Sequence, residues 1–149
     1  LIKQKIHVQT EKFQNKKIIS EYSPKFVVFL PDNEIHELSI LFLNYLILSK
    51  GFKTIFLGQS MPIDSLKTLL SQDEKLHFIT YITVQPLKSN ILKYVKSFDQ
   101  SLIKGTKNKL SIFGPQIKNI KLEQFSHNIF THTDHKSFIE QFLSQPIYI

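Results

Sequence analysis

Five times along this chain, a short run rich in β-branched and aromatic residues is followed by a longer amphipathic stretch. Such alternation builds βαβ units, whose parallel strands are covered on both faces and therefore read as nearly continuous apolar runs. The expected strands are Lys25 to Leu30, Lys53 to Leu57, His77 to Ile82, Lys109 to Phe113 and Asn128 to Thr131. The expected helices are Ile35 to Lys50, Ile63 to Ser71, Leu87 to Lys104, a short one near Gln116 to Leu122, and Asp134 to Leu143. The fold class this predicts is α/β, a five-stranded parallel sheet flanked by helices.

Boundary residues fit that reading. Asp32 or Asn33 can accept from the free amides of the first long helix, and Gly51 after Lys50 supplies a left-handed stop. Pro62 and Pro86 stand at helix starts, where a missing N–H costs nothing. Gly105 closes the third helix and Asp134 caps the last. The first twenty or so residues fall outside the alternation. There, Leu1, Ile2, Ile6 and Phe13 line one side of a helix among Lys and Gln, an apolar stripe without a partner. Ser23-Pro24 marks the entry to the sheet. The chain thus divides into a helix and linker over 1–23 and an α/β domain over 24–149.

Composition closes several function classes. With 149 residues the chain has the size of one ordinary domain. It has no cysteine, which rules out a disulfide framework, a thiolate zinc site and a cysteine nucleophile. The longest apolar run, Ile35 to Leu48, is broken by His36, Glu37, Ser39 and Asn44 and is too short for a membrane span. No basic, apolar and small-residue succession opens the chain, so a cytoplasmic setting is expected. The net charge of +7 comes from lysine alone, because there is no arginine. Without guanidinium forks the chain lacks the usual instrument for reading bases or gripping phosphates, and direct DNA contact by it is disfavoured.

In open parallel sheets, ligands sit beyond the carboxyl ends of the strands, where the strand order reverses. The segment after the first strand, Pro31-Asp32-Asn33-Glu34-Ile35-His36-Glu37, puts an imidazole at that edge. Glu34 and Glu37 flank it, as carboxylates that hold the ring tautomer flank metal-bound histidines.

The stretch Val27 to Pro62 carries Glu34-x-His36-Glu37-Leu38 after a strand, a long apolar helix ending Lys50-Gly51, and then Ile55-Phe56-Leu57-Gly58-Gln59-Ser60-Met61-Pro62. In this it resembles the C-terminal cobalamin-binding domains of MerR-family transcriptional regulators, and the resemblance extends over about residues 1 to 145. It implies a flavodoxin-like or Rossmann-like sheet, cobalamin as cofactor, and an opening helix left from an upstream helical bundle. In that family the histidine of an Asp-x-His-x-x-Gly motif reaches cobalt from below, a role that falls on His36 as metal ligand. The hydrogen-bonding residue before it becomes Glu34, and the glycine that admits the cofactor's nucleotide tail becomes Ser39. The Ser-x-Leu element maps to Thr80-Tyr81-Ile82, and the Gly-Gly after the fourth strand to Gly114-Pro115. The implied partners are cobalamin, the upstream bundle, a DNA-binding domain through which alone DNA would be met, and further copies of the same chain.

Other readings stay open beside it. One is the same regulator domain with a site that no longer holds cobalamin, for which Ser39 and Pro115 speak. Another is the corrinoid-carrying subunit of a methyltransferase or mutase. A receiver-type signalling domain needs an acidic residue where this chain has Ile82-Thr83. His132-x-x-His135 lacks a third convincing metal ligand, and Gly58-Gln59-Ser60 lacks the glycines and lysine of a phosphate cradle. His7, His77 and His127 look isolated, and no serine, histidine and carboxylate set converges, so no catalytic residue is assigned.

Overall fold

A computed structural model describes residues 2–14, 24–71 and 75–144 of the chain. Its strands are β1 (Lys25–Pro31), β2 (Thr54–Met61), β3 (Leu76–Tyr81), β4 (Lys109–Phe113) and β5 (Ile129–His132). They form one sheet in the order β2-β1-β3-β4-β5, and every pairing is parallel. The α/β class with a five-stranded parallel sheet is therefore what the chain adopts, each expected strand matched within a few residues.

Side-chain alternation along β1 shows why both faces are covered. Phe26, Val28 and Leu30 enter one core, with Ile40, Leu43 and Ile47 of helix α2 (Leu38–Ser49) and Phe138 of helix α5 (His135–Phe142). Val27 and Phe29 enter the opposite core, with Ile91, Val95 and Phe98 of helix α4 (Ile91–Phe98) and Leu66 of the short helix α3 (Ile63–Leu66). The helices after β1 and β3 thus lie on opposite faces. The crevice this opens between the ends of those two strands is the topological switch point of the sheet.

Three helical expectations need correction. The first long helix starts at Leu38, not Ile35, and neither Asp32 nor Asn33 caps it. Asn33 occupies a left-handed turn with φ 68° instead, and Glu37 takes the cap position without a side-chain bond. His36 consequently lies in the loop before the helix. No helix forms at Gln116 to Leu122, where the backbone makes successive turns. Ile117, Ile120, Leu122 and Phe125 still pack against the sheet from that irregular segment. The third helix is shorter than Leu87 to Lys104, with a tight turn over Lys88–Asn90 before α4 and a wider π-turn over Asp99–Ile103 after it. That widening places Asp99 in the interior, where its carboxylate accepts from the amide of Ser126 at 3.1 Å and from the Ser126 hydroxyl, pinning the irregular segment.

Other expectations hold. Gly51 and Gly105 have φ of 93° and 76°, and Asp134 caps α5 by accepting from the Ser137 amide at 3.0 Å. The opening helix α1 (Ile2–Gln14) does have a partner, because it packs on α2 and Lys3 pairs with Glu37 at 3.6 Å. Leu1 and the side chain of Phe13, both assigned to its apolar stripe, lie outside the described residues, as does Ser23. Among the described residues no helix is long and apolar enough to cross a membrane.

Candidate functional site

The switch point is organised around one buried carboxylate. Glu34 follows β1, and its backbone is fixed on both sides, its amide donating to Pro31 O at 2.9 Å and its carbonyl accepting from Ser60 N at 3.1 Å. Ser60 reaches that position because β2 carries irregular register near Gly58, whose φ is 79°, so the end of the strand bends toward β1. The Ser60 hydroxyl also accepts from the Asn33 amide at 3.1 Å and donates to Asp32 at 3.4 Å. The main chain around residue 34 is thus held by β2 rather than by the following helix.

The Glu34 side chain is only 1% exposed and bridges two loops. Oε1 accepts from the successive amides of Thr83, Val84 and Gln85 at 3.0, 2.7 and 3.2 Å, in the loop that follows β3. Oε2 accepts from Ile35 N at 3.0 Å and His36 N at 3.4 Å, and lies 2.7 Å from His36 Nδ1. Burial alone would raise the carboxyl, but the Val84 amide, the His36 imidazole and the amides of Gln85 and Thr83 together outweigh it and hold it down at about 2. The group is therefore an anion at any ordinary pH.

An ionised carboxylate can only accept, so the facing Nδ1 must carry a proton. In the neutral ring the lone pair then sits on Nε2, the far edge of an imidazole that is 59% exposed. That tautomer is the one in which histidine binds a metal while a carboxylate steadies it from behind. Ile35, Leu38, Val84 and Leu87 on the same two loops and the adjoining helix start are between 45% and 63% exposed. These exposed apolar side chains stand on the loops that Glu34 joins and at the adjoining helix start, so this edge of the sheet offers apolar surface beside an imidazole.

The structure separates the other sequence-assigned residues. Ser39 lies in the first turn of α2, partly buried. Thr80 is fully buried, and its hydroxyl donates to Phe29 O at 2.9 Å. Ile82 is also fully buried, its amide bonded to Phe113 O at 2.8 Å. Gly114, at φ 135°, lies so close to Ile82 that an added Cβ would stand 2.1 Å from the Ile82 carbonyl oxygen, while Pro115 is exposed. The geometry thus joins Glu34 and His36 in one unit and puts Thr80 and Ile82 inside the sheet. Glu37, the other carboxylate expected beside His36, turns to Lys3 instead.

Sequence reading missed the Thr83–Gln85 amides, and backbone groups leave no residue-type signal. It also missed the role of Ser60, which entered only as one residue of the Ile55 to Pro62 run and of a failed phosphate loop. Among the described residues no group of three or more His, Asp and Glu side chains is arranged to hold a metal ion, and His132 and His135 do not form one.

This arrangement defines a doubly wound α/β fold of the kind found in cobalamin- and corrinoid-binding proteins. The chain is similar to the monomethylamine corrinoid protein of Methanosarcina barkeri, with a TM-score of 0.70 at 12% identity, covering 93% of this chain and 64% of that one. It is also similar to a cobalamin-binding protein of Desulfitobacterium hafniense DCB-2, with a TM-score of 0.53 at 14% identity, covering 81% of this chain and 60% of that one. The chain therefore spans less than two thirds of either neighbour, and identities this low establish the fold alone. No protein-family profile matches the chain, and no curated protein matches it in sequence.

Proposed function

We propose that this chain is a cobalamin-binding sensory domain of a MerR-type transcriptional regulator, with His36 as the lower cobalt ligand. The observation that carries the reading is the Glu34–His36 pair at the switch point, which leaves Nε2 as a lone-pair donor on an exposed ring. Two further observations support it: the Val27 to Pro62 run, of which the pair is a part, resembles such regulators, and the solved neighbours are named for corrinoid and cobalamin binding. Glu34 and His36 would hold the group, His36 offering Nε2 to its metal and Glu34 fixing the ring from behind. When bound, cobalamin would supply the metal-centred chemistry or colour, and the protein's part is to hold and orient it.

On this reading Glu34 keeps the imidazole in its metal-binding tautomer, and the Ile35, Leu38, Val84 and Leu87 side chains exclude water from the ligand's lower face. Ligand would act by shifting how the domain packs on upstream helices and on other copies of the chain, and so would change the attached DNA-binding module. The chain itself performs no catalysis and meets DNA only through that module.

The experiment is retention of colour. The protein is incubated with hydroxocobalamin, desalted and examined by visible absorption. Wild type is expected to keep a histidine-ligated spectrum that His36→Ala loses. Colourless wild type would instead mean a domain retained for packing, in keeping with the closed surroundings of Thr80 and Gly114. A second reading, a corrinoid carrier for a methyltransferase or mutase, is favoured by the Methanosarcina neighbour. Under it, a coloured full-length protein would bind no duplex DNA.

A further inference from the structure

A second buried polar system crosses the sheet on the face covered by α2 and α5, and it shares no residue with the Glu34–His36 pair. His77 on β3 and Ser111 on β4 are fully buried, and His132 at the end of β5 is nearly so. Parallel register assembles them. Residue 77 pairs with Lys109, so Ser111 stands two positions further along β4 on the same face. His77 Nε2 lies 2.7 Å from Ser111 Oγ, and His132 Nε2 lies 3.1 Å from the same oxygen. His132 Nδ1 is 3.4 Å from Ser137 Oγ, and the Ser137 hydroxyl donates at 3.5 Å to the carbonyl of Asp134, the cap of α5. Phe26 stacks on His77 and Phe113 on His132, each with ring centres 4.9 Å apart.

Counting protons gives this chain a direction. Ser111 Oγ has one proton to donate and faces two ring nitrogens, so giving that proton an acceptor requires one nitrogen to receive while the other gives. His77 Nδ1 is buried with no partner. A proton there would be an unpaired buried N–H, so it resides on Nε2 and points at Ser111. Ser111 then donates to His132 Nε2. His132 holds its proton on Nδ1, directed at Ser137, and the Ser137 hydroxyl passes on to Asp134.

We propose that this directional chain is an acid-sensitive latch tying α5 to the sheet, opened when His132 takes a second proton. With Nε2 of His132 protonated, Ser111 Oγ faces two N–H groups and its own proton loses its acceptor. Reversing the chain would move the His77 proton to Nδ1, where nothing receives it, so the latch breaks rather than turns round. The break falls at the α5 end, where the links are longest.

The surrounding charges decide where the proton enters. Burial holds His77 far below the ordinary imidazole range, with Lys109 and His132 adding to the effect. Lys109 itself sits over the Phe142 ring of α5, 5.4 Å from its centre. Burial lowers His132 to about 4, against the pull of Asp134 on α5. With the Asp134 carboxylate beside it, where His77 has Lys109, His132 is thus the group placed to take the second proton.

The test is hydrogen exchange on the intact chain as pH falls from about 6.5 toward about 4, corrected for intrinsic rates. The amides of α5 are expected to lose protection at least tenfold, the worth of roughly one net hydrogen bond, through an opening that leaves those of β1 and β3 the better protected at every pH. In His132→Phe the pH dependence of α5 protection should be markedly weaker. Should that variant fail to fold, nitrogen NMR of histidine-labelled wild type near neutral pH decides the matter, with His77 expected to be protonated on Nε2 and His132 on Nδ1. Amides of α5 as well protected as those of the sheet at each pH, or either ring in the opposite tautomer, would overturn the proposal.

Discussion

Oε2 of Glu34 lies 2.7 Å from Nδ1 of His36, while Oε1 of the same carboxylate takes the amides of Thr83, Val84 and Gln85. One buried side chain therefore orients the imidazole and closes the loops after β1 and β3 against each other. Fold stability and ligand geometry meet in that group.

Glu34 and His36 should then separate under mutation. Glu34→Ala removes a buried, ionised acceptor from five backbone amides and should cost about 3 kcal/mol or more in denaturant unfolding. Glu34→Asp, one methylene shorter, should recover only part of that, because it cannot span both loops. His36→Ala removes an exposed ring and should cost less than about 1 kcal/mol while abolishing retention of cobalamin.

Acid should weaken the fold through the buried imidazoles. His132 falls from 6.5 to about 4 on folding, so between those values the unfolded chain binds more protons than the native one. Stability is then fully present above about 6.5 and declines as pH drops toward 4, by about 3 kcal/mol from this residue. His77, held down by its burial, adds to the decline over the same window. Urea midpoints measured across that range should track the loss in wild type and fall less steeply in His132→Phe.

How far the sequence reveals all this depends on the kind of residue involved. The strands were legible because each is a run of apolar residues buried on both sides, as in Phe26-Val27-Val28-Phe29-Leu30. The site's imidazole was legible from its place after the first strand. The start of α2 was not, because the Glu34 carboxylate takes the amides of Ile35 and His36, which a helix start would otherwise leave to a cap. Nor was the irregular segment after β4. Its apolar residues have a helical look, yet it is held by Asp99, a residue on a different element. His77 looked isolated because its partner Ser111 stands 34 positions away and only the parallel register brings them together.

Two glycines with positive φ should respond differently to substitution. At Gly114 an added Cβ would clash with the Ile82 backbone, so Gly114→Ala should cost about 3 kcal/mol or more, or prevent folding. At Gly105 nothing lies within 4 Å, so Gly105→Ala should cost only the backbone term of about 1 kcal/mol. Thermal melts of the two variants side by side check the contrast.

Asp99→Ala should free the segment before β5 by removing both bonds to Ser126. The expected loss is about 2 kcal/mol, with faster hydrogen exchange at Ser126 and little change in the amides of β1.

The central claim is that Nε2 of His36 binds cobalt, and the most direct measurement is electron paramagnetic resonance of the protein loaded with cobalamin and reduced to the cobalt(II) state. In protein carrying histidine labelled with nitrogen-15, the axial nitrogen splitting should change from a triplet to a doublet, and His36→Ala should lose that doublet. A splitting that stays a triplet after labelling would show the cofactor's own base still on the metal and would contradict the account.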